Sequence, residues 1–261
     1  MAAGDRLFYM PTREIYGHPE AYGLAYEPIE FASEDGTRLH GWFFPAGSAA
    51  RGTVVHCHGN AGNITGHFER IRWLPPRGWN VLCFDYRGYG RSNGVPSRAG
   101  TIADARSAVR YVQTRSDVDA GRVVLWGQSL GGAIGIVVAA EIEAVRGIVV
   151  EGAFSSYRGE AGFICRQSVL FSPFAGLLTR ALISNGHEPI GSVADIAPRP
   201  VFFICGTRDH IVDHRQTVAL HEAAGEPKEL WVIDGGGHTD ATLRPDGPER
   251  LLSFFEQCVA D

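Results

Sequence analysis

No stretch of this 261-residue chain holds the eighteen or so consecutive apolar residues that a bilayer span requires. The opening Met1-Ala2-Ala3-Gly4-Asp5 lacks the basic-then-apolar pattern of a secretory signal. The expectation is a soluble, cytoplasmic protein, with association to a membrane surface left open. Excess positive charge is missing too: the formal net charge is -5, which removes the electrostatic footprint of a nucleic-acid binder. Cysteines number only 5, odd and scattered. Cys57, Cys83 and Cys205 sit inside apolar runs, which suits small buried side chains in a reducing compartment and not a disulfide framework. Internal repeats and low-complexity segments are absent. What remains is ordinary globular composition, 44% hydrophobic and 20% charged, enough for one domain over residues 1–261 with a large core.

The first two dozen residues are rich in Tyr, Pro and Gly without a clean period, and predict a surface wrap. Pro28 to Ala32 and Leu39 to Phe44 flank Ser33-Glu34-Asp35-Gly36-Thr37, and Asp-Gly between alternating apolar runs predicts a hairpin. After Gly52 come short continuous apolar runs beginning at Val54, Val81, Val123, Gly147, Val201 and Leu230. Such runs suit strands buried on both faces of a parallel sheet. Helical-length segments alternate with them at Asn63 to Leu74, Thr101 to Thr114, Ser129 to Ala140, Asp213 to Ala224 and Glu249 to Val259, with Thr101 and Asp104 as a capping pair. The fold class is therefore α/β: an eight-stranded, mostly parallel sheet with helices on both faces. The connection 153–200, after the sixth strand, is too long for a simple crossover. It reads as a lid or cap insertion, in which Phe154, Phe163, Phe171, Phe174, Leu177 and Leu178 offer an apolar wall to a substrate. A helix pair packed on the core with no substrate role is the alternative.

The chemistry centres on Gly127-Gln128-Ser129-Leu130-Gly131, between the Val123 run and a stretch of small residues. With 33 glycines and 14 serines in the chain, about 0.2 G-x-S-x-G patterns arise by chance, so context must decide. A strand, a sharp turn and a helix in succession is the context in which this pattern presents a nucleophilic serine. The chain supplies its own control, Gly90-Arg91-Ser92-Asn93-Gly94, followed by Val95-Pro96. Proline disfavours helical geometry in the residue before it, so no helix opens after Ser92 and Ser92 belongs to a loop.

A serine hydroxyl needs a base to take its proton and a carboxylate to orient that base. Asp209 lies four residues beyond the run ending at Cys205, and His238 follows the last strand in Gly235-Gly236-Gly237-His238. Ser129, Asp209, His238 is the chain order of one known triad type. Glu151, at the end of the preceding strand, is the fallback acid, and Asp213, Asp234 and Asp240 read as loop or cap residues. Two backbone amides commonly hold the oxyanion. Leu130 N–H should supply one, and the glycine-rich loop His58-Gly59-Asn60-Ala61-Gly62 the other, from Asn60 or next from Ala61.

Five ordered motifs carry a resemblance: His58-Gly59-Asn60-Ala61-Gly62, Phe84-Asp85-Tyr86-Arg87-Gly88-Tyr89-Gly90-Arg91-Ser92, Gly127-Gln128-Ser129-Leu130-Gly131-Gly132, Gly206-Thr207-Arg208-Asp209 and Gly236-Gly237-His238. Together they resemble an alpha/beta-hydrolase of the BEM46-like group, near the serine-aminopeptidase-type hydrolases, from about Tyr26 to the C-terminus. The resemblance implies the eight-stranded hydrolase fold, with Ser129 as nucleophile, Asp209 as acid and His238 as base. Members often carry an N-terminal membrane helix, absent from this sequence. Their activities range over esterase, lipase, thioesterase and peptidase-like reactions, so the substrate does not carry over.

Rival readings exist. His56 and His58 share a strand face and could open a metal site with Asp209, His210, His214 and His238, but this leaves Ser129 unexplained. A phosphate loop at Gly88 to Gly94 would have to pass directly into a helix, against Pro96. The expected function is a serine hydrolase, without cofactor or metal, cleaving carboxylic esters of short to medium acyl chains. A thioesterase or aminopeptidase-type amidase is the alternative on the same triad, and a catalytically silent binding protein of the same fold is the non-enzyme alternative. The partner expected is a small-molecule acyl substrate; oligomeric state is not written in the sequence.

Overall fold

The computed structural model describes residues 3–47, 49–168 and 170–260. Its sheet has eight strands: β1 Glu27–Ala32, β2 Arg38–Phe44, β3 Gly52–Cys57, β4 Trp79–Phe84, β5 Val123–Gln128, β6 Val145–Glu151, β7 Val201–Gly206 and β8 Lys228–Ile233. Across the sheet they run β8-β7-β6-β5-β3-β4-β2-β1. The pairs from β8 to β4 are all parallel, while β2 is antiparallel to both β4 and β1. This is the eight-stranded, mostly parallel architecture that the resemblance implied.

The β1–β2 hairpin closes as its turn residues predict. Gly36 has φ +81, Ser33 N–H donates to Thr37 O at 2.8 Å, and Asp35 Oδ1 accepts Thr37 N–H at 3.0 Å. The continuous apolar runs divide residue by residue between the two faces of the sheet. Val55, Leu82, Phe84, Val123 and Leu125 enter the core beneath α1 (Arg98–Thr114), α2 (Leu130–Glu141) and α5 (His214–Ala223). Val54, Val81, Cys83, Val124 and Trp126 enter the core on the other face, beneath α6 (Gly247–Val259) and residues 64–74. All five cysteines are free thiols, four of them buried, and burial pushes the Cys57 thiol up to about 12.

Three expectations are corrected. The segment Asn63 to Leu74 is not one helix but a four-residue turn, Ile64–His67, capped by Asn63, followed by 3-10 geometry from Phe68. Phe68, Ile71 and Leu74, all buried, recur every three residues, the period of the tighter helix. Helix α1 starts at Arg98, not Thr101, because Ser97 caps it by accepting Gly100 N–H. Asp104 does no capping; it is buried and takes the Arg87 guanidinium at 2.7 Å. The N-terminal segment is more than a surface wrap: Phe8 and Tyr9 are buried, and Met10–Pro11 pairs in parallel with Ala61–Gly62.

Between β6 and β7 stand α3 (Tyr157–Arg166), α4 (Ala175–Leu182) and three short turns of helix. Among the described residues no helix is long and apolar enough to cross a membrane.

Candidate active site

Ser129 follows β5 at φ 55, ψ -120, a left-handed conformation that is strained for a residue with a side chain. Its surroundings impose it. Ser129 N–H donates to Glu151 O at 2.8 Å, and Ser129 O accepts Gly132 N–H at 3.0 Å and Ala133 N–H at 3.2 Å. The flanking glycines are sites of close approach: a Cβ on Gly131 would lie 2.0 Å from Cys57 O, and one on Gly127 2.4 Å from Gly131 O. The G-x-S-x-G spacing thus records how tightly the turn is pressed onto the end of β3. Leu130 opens α2, so its N–H has no partner in the helix ladder and points from the positive end of the helix dipole. Ser92, the control, is a loop residue whose buried hydroxyl donates to Asp85 O at 2.7 Å.

Asp209 and His238 come from the loops after β7 and β8. Asp209 Oδ1 accepts Ile211 N–H at 2.8 Å and Val212 N–H at 2.9 Å, which leaves Oδ2 to face His238 Nδ1 at 2.6 Å. An ionised carboxylate only accepts, so a neutral imidazole in this bond carries its proton on Nδ1 and its lone pair on Nε2. The glycines before His238 let its loop lie against the end of β7: Arg208 N–H donates to Gly236 O at 2.8 Å, and a Cβ on Gly206 would meet Gly236 O at 2.3 Å. Glu151, the fallback acid, is engaged elsewhere. It accepts Gln128 Nε2 at 2.8 Å and Ala241 N–H at 2.8 Å, and burial raises its pKa.

Ser129 and His238 line one cavity of about 290 Å³. It lies at the carboxyl ends of β3, β5, β7 and β8, where open parallel sheets bind ligands. Larger cavities, of about 500 Å³ and about 410 Å³, contain neither residue. Asn60 lines the same cavity. Its side chain is a tie: Asn60 Oδ1 accepts Met10 N–H at 2.8 Å and the Tyr89 hydroxyl at 3.1 Å.

The apolar wall is not where the sequence pointed. None of Phe154, Phe163, Phe171, Phe174, Leu177 and Leu178 lines this cavity. Phe154 is in the core, its ring 4.9 Å from Tyr157 and 5.8 Å from Phe8, because only Gly152 and Ala153 separate it from the buried end of β6. Phe171, Phe174 and Leu177 are exposed. Met10 and Ile211 line the cavity instead. Sequence reasoning also missed His67 and Arg70 there. The single helix expected over Asn63 to Leu74 does not form: His67 ends the short turn Ile64–His67 and Arg70 ends the 3-10 turn Phe68–Arg70, and both border the cavity beside Gly59, Asn60 and Ala61. Burial and the Arg70 charge lower the pKa of His67, and its Nε2 bonds Ala61 O at 2.8 Å.

The metal reading does not assemble. His56 Nε2 donates to Gln128 Oε1 at 3.0 Å, and His58 packs between the rings of Tyr86 and His67. Among the described residues no three His, Cys, Asp or Glu side chains stand where they could hold an ion together. The Gly88 to Gly94 stretch forms turns, and the helix opens only at Arg98.

Residues 48–195 match the family model described as Serine aminopeptidase, S33. The chain is 38% identical over 257 residues to the uncharacterized protein YfhR of Escherichia coli, covering 95% of this chain and 86% of that one. It is 27% identical over 253 residues to the protein bem46 of Schizosaccharomyces pombe, covering 95% and 82%. Among solved structures, the Pyrococcus furiosus esterase Pf2001 superposes with a TM-score of 0.78 at 24% identity, over 96% of this chain and all of that one; at that identity the likeness concerns the fold.

Proposed function

This chain belongs to the serine aminopeptidase S33 family of alpha/beta-hydrolases, within its BEM46-like relatives, and we propose that it is a serine esterase acting on short to medium acyl chains. The observation that carries this reading is one cavity shared by a serine on a strained turn and an imidazole whose far nitrogen is bound to a buried carboxylate at 2.6 Å.

In the proposed mechanism His238 Nε2 takes the Ser129 proton as Oγ attacks the ester carbonyl. In this reading the oxyanion is received by Leu130 and Asn60 N–H, backbone donors of the kind that need no reorganisation as charge develops. His238 then gives its proton to the leaving alkoxide. Water, deprotonated by His238, attacks the acyl-enzyme, and Ser129 recovers its proton as the acid departs. Met10 and Ile211 bound the acyl chain. We read the insertion 153–200 as a cap that braces this mouth from outside: Gln167 Nε2 donates to His210 O at 3.1 Å, between Asp209 and Ile211.

The test is hydrolysis of p-nitrophenyl esters from acetate to decanoate. Purified protein should exceed a Ser129→Ala control on the shorter members and be labelled by a fluorophosphonate at Ser129. Rates equal to the control on every ester would end the esterase reading; a label on any other residue would end the assignment of the nucleophile.

A further inference from the structure

The polar wall of the Ser129 cavity carries a cation that the proposed chemistry does not use. Arg70 lines the cavity, and its Nη1 donates to Thr239 O, the residue after His238, at 2.8 Å. Among the described residues Arg70 forms no ion pair, although other buried or half-buried guanidiniums are matched: Arg87 to Asp104 and Asp35, Arg106 to Glu34 and Glu141, Arg115 to Glu27 and Asp117. One backbone carbonyl satisfies one of the five N–H donors of a guanidinium. Arg70 also borders the neighbouring cavity of about 500 Å³, and a charge-assisted pair made on the side of the smaller cavity is worth more than one at an open surface.

The other lining residues sharpen this. No carboxylate is among them; Glu151, which feels the Arg70 charge, is buried behind the wall and already bonded to Gln128 and Ala241, so a ligand anion meets no competitor in the lining and a free ammonium meets no carboxylate there. His67, three residues before Arg70, is held toward its neutral form by burial and by the Arg70 charge, so it adds little positive charge of its own. The carbonyl of Thr239 fixes the guanidinium next to the base, and with it the distance between the recognised group and the attacked carbonyl.

We propose that Arg70 reads a carboxylate on the substrate, making the preferred substrate an ester that carries an anionic group, and disfavouring peptides with a free amino terminus. This rests on the esterase reading for its chemistry but not for its binding, and the two are tested apart. A planar, bidentate anion is what the guanidinium fork fits.

Two arms decide it. Binding is measured by calorimetry on Ser129→Ala protein, where nothing turns over, with monomethyl adipate and its neutral dimethyl ester. The monoanion should bind about tenfold more tightly or better, the difference should disappear in Ser129→Ala/Arg70→Gln, and Arg70→Lys should restore part of it. Equal affinity for the two ligands, or a preference that survives Arg70→Gln, overturns the proposal whatever the protein hydrolyses. Turnover is measured on active protein with mono-4-nitrophenyl adipate against its methyl-capped diester, which places the anion on the acyl side, and with 4-acetoxybenzoate against its methyl ester, which places it on the alcohol side. The pair whose kcat/KM ratio collapses in Arg70→Gln identifies the side; a ratio unchanged in both pairs also overturns the proposal. Binding preference without any ester cleavage would remove the esterase reading and leave the anion site standing.

Discussion

Asp209 divides its carboxylate between two tasks: Oδ1 is held by the Ile211 and Val212 N–H groups, and Oδ2 faces His238 Nδ1 at 2.6 Å. The division makes Asp209→Asn informative. Two backbone donors require the amide oxygen at the Oδ1 position, so the amide NH2 must face the imidazole. That forces Nδ1 to accept, moves the proton to Nε2 and removes the base from the side facing Ser129. The expected result is a loss of about 10³–10⁴ in kcat with little change in thermal unfolding, checked by p-nitrophenyl ester kinetics beside a melting curve. A loss below about tenfold would mean that another group orients His238.

Asn60 gives a smaller prediction. Its backbone N–H is the proposed oxyanion donor, and its side chain ties the loop to Met10 and Tyr89. Asn60→Ala keeps the donor and cuts the tie, so the loop loosens while the chemistry remains. The expected fall in kcat is about 5- to 30-fold, the scale of one or two neutral hydrogen bonds. Tyr89→Phe, which removes one of the two ties, should fall between wild type and Asn60→Ala in the same assay.

The strands, their faces and the order of Ser129, Asp209 and His238 were legible because each rests on local sequence: continuous apolar runs, a proline that disqualifies Ser92, glycines where backbones must touch. The cavity walls were not. Met10 comes from a segment without periodicity and is placed by pairing with residue Ala61, fifty-one positions away. Arg70 was hidden inside an expected helix whose face changes when the turn tightens to three residues. Phe154 looked like a lid aromatic, but a position two or three residues past a buried strand is still core. Wall residues are set by contacts between distant segments, and a pattern along the chain carries little of that information.

Gly131 tests the close approach at the turn. A methyl group there would sit 2.0 Å from Cys57 O and 2.5 Å from His58 O, both backbone atoms that cannot swing aside. Gly131→Ala must push α2 away from β3 and open the distance between Leu130 N–H and the Asn60 loop. The expected cost is about 2–4 kcal/mol of stability and loss of most activity, measured by urea unfolding and ester hydrolysis. An Ala variant of ordinary stability would contradict the packing of the turn.

Glu160 makes stability depend on pH in a defined direction. It is buried on α3, its Oε2 accepts Gln216 Nε2 of α5 at 2.7 Å, and burial, reinforced by the Asp209 charge, pushes its carboxyl from 4.5 up to about 7. The folded state therefore holds a proton that the unfolded chain has released at intermediate pH. Stability from this group is full below about 4.5, declines as pH rises to about 7 and is level beyond. Glu160→Gln keeps an acceptor for Gln216 and cannot ionise, so the variant should escape the decline. Relative to wild type it should gain about 1–3 kcal/mol between pH 4.5 and pH 8, read as a widening gap in urea midpoints. A gap that stays constant across that range would show that Glu160 is ionised and solvated in the folded protein, and that the contact between α3 and α5 rests on apolar packing instead.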